Sequence, residues 1–229
     1  MTIDTLIFDL DGMLVDSQPA ALRAAREALA TYNVNVTDDE IRKQFGGGTR
    51  KYLWDFMENA LGEEQAGIYI DEAVVLKNNL QQRYTGDTVL LPHAKNLLQQ
   101  LKNDGYKLGL ATMSARGVVD SIMKHHGIDG YFDVIVTVDD VINPKPDPEI
   151  LIKTSERLGS DISRTLYAGD SANDLEAAAQ IGMSFVLGDT GIYVHGEERN
   201  NLRITAEERG YPIVGFENLM TIGKIVNNS

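Results

Sequence analysis

Two aspartates one residue apart, Asp9 and Asp11, follow the apolar run Leu6-Ile-Phe8 and precede Gly12. Paired carboxylates at the end of a buried strand suit ligand binding in an open α/β sheet, where ligands gather beyond the carboxyl ends of strands. Gly12 permits the tight loop that such a strand end needs. Taken alone, Asp9-Leu-Asp11-Gly12 reads equally well as a surface turn, since Asp and Gly are common turn residues. Three later stretches carry complementary chemistry. Thr112 offers a hydroxyl at a strand end, although by itself it reads as a helix cap. Lys145 sits in Asn143-Pro-Lys-Pro-Asp-Pro148, where the prolines restrict the backbone and remove donors, so that one cation is held in a defined direction. On the loop alone it reads as a solvated lysine. Gly169-Asp170-Ser-Ala-Asn-Asp174 adds two acids. A helix N-terminus attracts acids without any function, which accounts for Asp174 more easily than for Asp170.

Positioning these residues falls to the elements between them. Leu6 to Phe8 reads as a short buried strand. After Ser17 the periodicity turns helical: Pro19 stands near a helix start, and Ala20, Leu22, Ala25, Leu29 and Tyr32 recur at helical spacing. Thr37-Asp-Asp-Glu40 is a capping box opening a short helix toward Phe45, which Gly46-Gly-Gly48 breaks. Lys51 to Leu61 and Glu63 to Arg83 are two further helices, and residues 86–92 read as a linker. No strand interrupts this block, so residues 17–87 are expected to form an inserted all-helical cap domain. From Leu91 onward helix and strand alternate, the pattern of a parallel α/β sheet. Strands are expected over 107–111, 132–136, 166–168, 184–187 and 212–214, with helices over 93–104, 115–126, 148–158, 175–181 and 216–226. The polar stretch 190–209 shows no clear period. Residues 1–16 and 88–229 are therefore expected to form a doubly wound, Rossmann-like core. In that topology Asp9, Asp11, Thr112, Lys145, Asp170 and Asp174 converge on one sheet edge. Three or four carboxylates held together repel unless a cation lies among them, and oxygen-only ligands suit Mg²⁺.

Composition narrows the partners. A chain of 229 residues, 43% of them apolar, can fill one main core plus an insertion. Lys and Arg total 21 against 34 Asp and Glu, a formal charge of −13 that argues against nucleic acid and anionic membranes. The same field makes an anionic substrate depend on local positive charge, from a metal ion or from placed Lys and Arg. There is no cysteine, hence neither disulfide nor thiol chemistry, which suits a reducing cytoplasm. Met1-Thr-Ile-Asp4 lacks the basic and apolar regions of a signal peptide, and no apolar run nears the roughly 20 residues of a membrane span. A cytoplasmic monomer or homodimer is the expectation.

In order along the chain, Asp9-Leu-Asp11-Gly12, Thr112, Lys145 and Gly169-Asp170-Ser-Ala-Asn-Asp174 resemble the four motifs of the haloacid dehalogenase-like hydrolases. The ordered set spans nearly the whole chain, and the helical block resembles that superfamily's helical cap, of the type found in phosphoglycolate phosphatases and β-phosphoglucomutases. The resemblance implies that Asp9 is a nucleophile forming an aspartyl-phosphate and that Asp11 is the general acid and base. It implies Mg²⁺ held by Asp9, Asp170 and the main-chain carbonyl of Asp11, with Asp174 ligating through water or orienting the others. Thr112 and Lys145 match the groups that bind phosphoryl oxygens in the transition state. The presence of Asp11 argues against a dehalogenase, whose branch lacks that acid. Met13 stands where Thr is usual and Met113 where Asn is frequent, so local hydrogen bonding, rather than the reaction class, is in question.

The expected activity is Mg²⁺-dependent hydrolysis of the phosphomonoester of a small metabolite, with the cap closing over the site. Asp16-Ser-Gln-Pro19 and the Ala-rich helix after it resemble the phosphoglycolate phosphatases. A β-phosphoglucomutase-like phosphosugar mutase is the alternative, although Ala20 to Leu22 lacks the histidine that those mutases place early in the first cap helix. A non-catalytic phosphometabolite binder need not keep a second acid, a lysine and a metal pair together. For substrate binding, Gly47, Gly48, Thr49 and Arg50 are candidates, because glycines allow close approach and Arg50 can meet a second anionic group. An exposed arginine in a helix connector is the equal alternative. Ser114 and Arg116, beside Thr112, are further candidates.

Overall fold

Thr5–Phe8 forms the first strand, β1, and all four of its residues are buried, as a strand covered on both faces of a parallel sheet requires. The computed structural model describes residues 2–45 and 48–227. The chain divides into two units: one runs to Asp16, resumes over Val89–Arg116 and continues from His126, and the other takes Ser17–Thr88 and Gly117–His125.

In the helical unit, α1 (Gln18–Ala30) has proline in its first turn, where the missing N–H costs nothing. The short helix α2 (Asp38–Arg42) carries the expected capping box: Thr37 Oγ1 accepts from Glu40 N, and the Glu40 carboxylate accepts from Thr37 N. Two longer helices, α3 (Thr49–Leu61) and α4 (Glu63–Arg83), meet at Gly62, whose φ of 86° is open to glycine and strained for other residues. The apolar faces of all four helices close on one cluster that includes Leu22, Leu29, Ile41, Tyr52, Leu53, Met57 and Ile70. Each large apolar side chain buried in this way contributes about 1.5–3 kcal/mol, which is how four helices hold together without a strand.

The other unit is built on strands. After β1 come β2 (Val15–Asp16), β3 (Val89–Leu90), β4 (Lys107–Ala111), β5 (Val134–Val136), β6 (Thr165–Gly169), β7 (Ser184–Asp189) and β8 (Ile213–Gly215). Six make one parallel sheet in the order β5-β4-β1-β6-β7-β8, and β2 pairs antiparallel with β3. The remaining helices are α5 (Ala94–Asn103), α6 (Arg116–His126), α7 (Glu149–Leu158), α8 (Ala172–Gln180), α9 (Gly196–Glu208) and α10 (Thr221–Asn227). Ile7, Ala111, Val136, Tyr167, Phe185 and Leu187 from the strands pack against Ile150 and Leu151 of α7, Leu175 and Ala178 of α8, and Leu202 of α9. A Cβ on Gly109 would fall 2.7 Å from Thr154 Cγ2, so glycine lets α7 lie close on β4.

Two stretches differ from expectation. Residues 86–92 contain β3, whose pairing partner is β2, far upstream, so no local pattern announces it. The polar stretch 190–209 contains α9, which buries only Leu202 and Ala206, a face too thin to show as a period. The N-cap of α7 is Pro148, not the Asp147 that its residue type would suggest, although Asp147 Oδ1 accepts from Glu149 N at 2.9 Å. Among the described residues no helix is long and apolar enough to cross a membrane.

Candidate active site

The register of β1 assembles the site. Phe8 lies opposite Leu110 of β4 and Ala168 of β6, so Asp9, Thr112 and Asp170, each just past a strand end, emerge at the same sheet edge. Asp9 N is tied to Ala168 O at 2.9 Å, and Thr112 N to Val136 O at 3.1 Å. Beyond Asp9 the chain turns back at once, with Gly12 N bonded to Val15 O at 2.8 Å and Leu14 N to Leu10 O at 2.9 Å. Gly12 is required twice over: its φ is +80°, and a Cβ there would lie 2.0 Å from Asp170 Oδ2 and 2.9 Å from Tyr193 Cδ2. Met13 is wholly buried, and a Cβ on Gly188 would fall 2.4 Å from its sulfur, so its side chain fills the space over β7 that glycine leaves. Met113 packs against the apolar core. Both methionines therefore serve packing.

Lys145 stands at the centre. Its Nζ lies 2.9 Å from Asp9 Oδ1, 2.7 Å from Ala111 O, 2.6 Å from the Tyr167 hydroxyl and 2.9 Å from Asp174 Oδ1. The Asp174 carboxylate is engaged at both oxygens: Oδ1 by Lys145 and Tyr167, Oδ2 by Ser171 N at 3.0 Å and Ser171 Oγ at 2.5 Å. Ser171 caps α8 in a capping box with Asp174, a spacing that is legible in the sequence. Tyr167 has no such signal. A buried tyrosine in an apolar strand reads as core, and only its hydroxyl, which must find a partner, sets it apart.

A second cluster lies on Asp11. Its Oδ2 accepts from Thr112 Oγ1 at 3.1 Å and from Ser114 Oγ at 2.7 Å, while Ser114 N donates to Thr112 Oγ1 at 3.1 Å. Ser114 thus holds Asp11 in place. The Arg116 side chain is directed elsewhere, donating to Ile135 O at 2.9 Å and Asp140 Oδ2 at 3.0 Å. In the helical unit, Gly48 precedes α3 with φ 80°, Thr49 Oγ1 accepts from the buried Lys77 Nζ at 3.2 Å, and exposed Arg50 pairs with Asp71. Gly47 lies outside the described residues.

The electrostatics are lopsided. Asp9, Asp170 and Asp174 each place a carboxylate oxygen within 4.8 Å of the others, all three buried, and Lys145 is the cation bonded to two of them. Burial pushes the Asp9 carboxyl up to about 7, with Asp174 and Asp11 adding to the rise and Lys145 opposing it. Burial, then the charges of Asp174, Asp9 and Asp11, drive Asp170 well above the carboxylate range. For Asp174 burial also acts upward, yet Lys145, Ser171 and Tyr167 bring it below its ordinary value. Burial works against the Lys145 charge, but Asp174 and Asp9 raise its pKa, so it stays protonated. Asp170 Oδ2 is buried with no hydrogen-bond partner. An orphaned carboxylate oxygen beside two other acids fits a hard divalent cation, which takes oxygen ligands and relieves the repulsion.

A family model of haloacid dehalogenase-like hydrolases matches residues 6–187. The chain belongs to that family. As a member of the haloacid dehalogenase-like hydrolases it is an enzyme, and it is similar to curated phosphatases. It is 35% identical over 208 residues to the phosphoglycolate phosphatase of Salmonella typhimurium, covering 83% of this chain and 82% of that one. To the phosphoglycolate phosphatase of Escherichia coli K12 it is 34% identical with the same coverage. Among solved structures, CbbY from Rhodobacter sphaeroides in complex with phosphate superposes with a TM-score of 0.80 at 22% identity, over 96% of both chains. A β-phosphoglucomutase from Clostridium difficile gives 0.76 at 20% identity, over 99% of this chain and 98% of that one. At these identities the two structures speak to the fold.

Proposed function

We propose that this hydrolase cleaves the phosphomonoester of a small metabolite, with Mg²⁺, through an aspartyl-phosphate on Asp9. The observation that carries the reading is the division of labour between two acids on one loop, one buried and one half-buried: Asp9 is bonded to Lys145, and Asp11 to Thr112 and Ser114. With Oδ1 held by Lys145, Asp9 Oδ2 attacks phosphorus, and the bond from phosphorus to the ester oxygen breaks. Asp11 gives its proton to the departing alkoxide, then takes one from the water that attacks the same phosphorus. That second displacement frees inorganic phosphate and restores Asp9. Thr112 and Ser114 keep the Asp11 carboxyl aimed at these oxygens, and Lys145 offsets charge on the phosphoryl group as it transfers. Asp9, Asp170 and the main-chain carbonyl of Asp11 would hold Mg²⁺, and Asp174, with both oxygens engaged, orients Lys145. When bound, the ion neutralises the acids and draws the anionic phosphate to an anionic nucleophile.

The similarity to phosphoglycolate phosphatases makes a short phosphorylated carboxylic acid the first substrate class to assay, with Arg50 as a group to meet its carboxylate. The test is phosphate release from a panel of small phosphomonoesters with Mg²⁺, alongside Asp9→Asn. The wild-type protein is expected to turn over at least one ester, and the variant to lose roughly 10⁴-fold or more. A wild-type protein inert across the panel, or an active Asp9→Asn, would refute the reading.

A further inference from the structure

Lys145 and Asp174 share a partner that none of the motifs contains. Tyr167 lies on β6, fully buried, with its hydroxyl 2.6 Å from Lys145 Nζ and 2.5 Å from Asp174 Oδ1. An ammonium only donates, so the phenol oxygen accepts from Lys145, and its own hydrogen goes to Asp174. Burial first, then the charges of Asp174 and Asp9, hold the phenol pKa well above its ordinary value, so that hydrogen stays in place. The ring cannot swing away. It packs on Phe185 with centroids 5.9 Å apart, and Phe185 packs edge-on against Tyr211 at 5.5 Å.

Charge alone does not call for this phenol, because Lys145 already reaches both Asp9 and Asp174. Direction does. Lys145 has three hydrogens and four oxygens within 2.9 Å, so its orientation is set by all of them together. Asp174 is pinned from both ends, by Ser171 at Oδ2 and by Tyr167 with Lys145 at Oδ1. Without the hydroxyl, the ammonium would lie between two acids with the Ala111 carbonyl as the neutral contact left to direct it.

We propose that Tyr167 is a positioning residue, fixing the direction of the Lys145 ammonium and the Asp174 carboxylate for the reaction at Asp9, a role that rests on the phosphatase reading above. Tyr167→Phe keeps the ring and removes the oxygen. Changing an outer partner of a metal site typically costs 10–100-fold, so kcat is expected to fall roughly tenfold with KM within about twofold. Mg²⁺ affinity, measured by calorimetry without substrate, is expected to weaken about tenfold. Phe185→Leu loosens the ring packing but leaves the hydroxyl, and is expected to lower Tm while keeping kcat within about twofold. A folded Tyr167→Phe with wild-type kcat and Mg²⁺ affinity would overturn the role, as would losses of kcat that track Tm in both variants. Should Tyr167→Phe fail to fold, 3-fluorotyrosine at position 167 keeps the shape and weakens the acceptor. It is expected to lower kcat about threefold, and unchanged kcat there overturns the role. An inert wild-type protein would count against the phosphatase reading, and the Mg²⁺ titration would still decide the part played by Tyr167.

Discussion

Asp9 and Asp140 belong to the same sheet-bearing unit and are both drawn out of water, yet they end on opposite sides of the ordinary carboxylate range. Asp140 closes the turn Val138–Asp140 after β5. Its carboxylate accepts from Thr137 N at 2.9 Å, Thr137 Oγ1 at 3.1 Å, Arg116 Nη2 at 3.0 Å, and Arg157 Nη1 and Nη2 at 3.0 and 3.1 Å. Burial acts upward on it, but Thr137 and Arg157 hold it down to about 2. At Asp9, burial prevails and the value stands at about 7. One acid has two guanidiniums; three acids at the sheet edge share one ammonium. The chain finishes the first cluster with its own cations and leaves the second with fewer cations than acids among the described residues. Deeper burial and fewer cations per acid together separate the ligand site from the structural ion pair.

Supplying the missing charge gives the largest effect. Mg²⁺ at about 100 times its Kd adds about 2.7 kcal/mol of stability, a rise in Tm of roughly 5–10 °C for a chain of this size, read by scanning calorimetry. Asp170→Asn removes the orphaned carboxylate, so it is expected to raise the metal-free Tm and abolish that increment. If the increment survives in Asp170→Asn, the ion binds elsewhere.

At the finished cluster the expected cost is smaller. Asp140→Ala strips one acid from Arg116 and Arg157 and should lose about 2 kcal/mol at neutral pH. Because the folded value of about 2 lies below the ordinary 3.8, the contribution is present above pH 4 or so and fades as the pH falls from there toward 2. Urea unfolding at several pH values is expected to show the gap between wild type and variant closing in acid. A constant gap would assign the loss to packing.

The smallest effect belongs to Arg50, paired with Asp71 by side chains 61% and 83% exposed. Arg50→Ala is expected to change stability by less than about 0.5 kcal/mol, so a raised KM at unchanged Tm would mark substrate contact. An unchanged KM would return Arg50 to the surface.

What the sequence made legible follows from how each element is stabilised. Strands β1, β4 and β6 are runs of buried residues bounded by turn signals, and α1 to α4 show amphipathic spacing, so both follow from local pattern. Asp9, Asp11 and Asp170 were visible because they interrupt that pattern at strand ends, and Lys145 because prolines restrict its loop. The pairing of β2 with β3 is held by a distant partner, and α9 by a two-residue face, so neither leaves a local trace. Ser114 and Arg116 stand two residues apart, yet one turns to Asp11 and the other to Asp140. Sequence proximity does not report the direction of a side chain. Tyr167 was hidden for the converse reason: its ring belongs to the core and only its oxygen to the site.

The contact between Met13 and Gly188 makes two distant positions a single heritable choice. The sulfur occupies the place where any side chain at 188 would begin, so a change at 188 requires the side chain at 13 to give way. Shortening residue 13 makes room for a larger residue at 188, and the threonine usual in this family's motif would do so. Through Met13, the catalytic loop sets how large residue 188 of β7 can be.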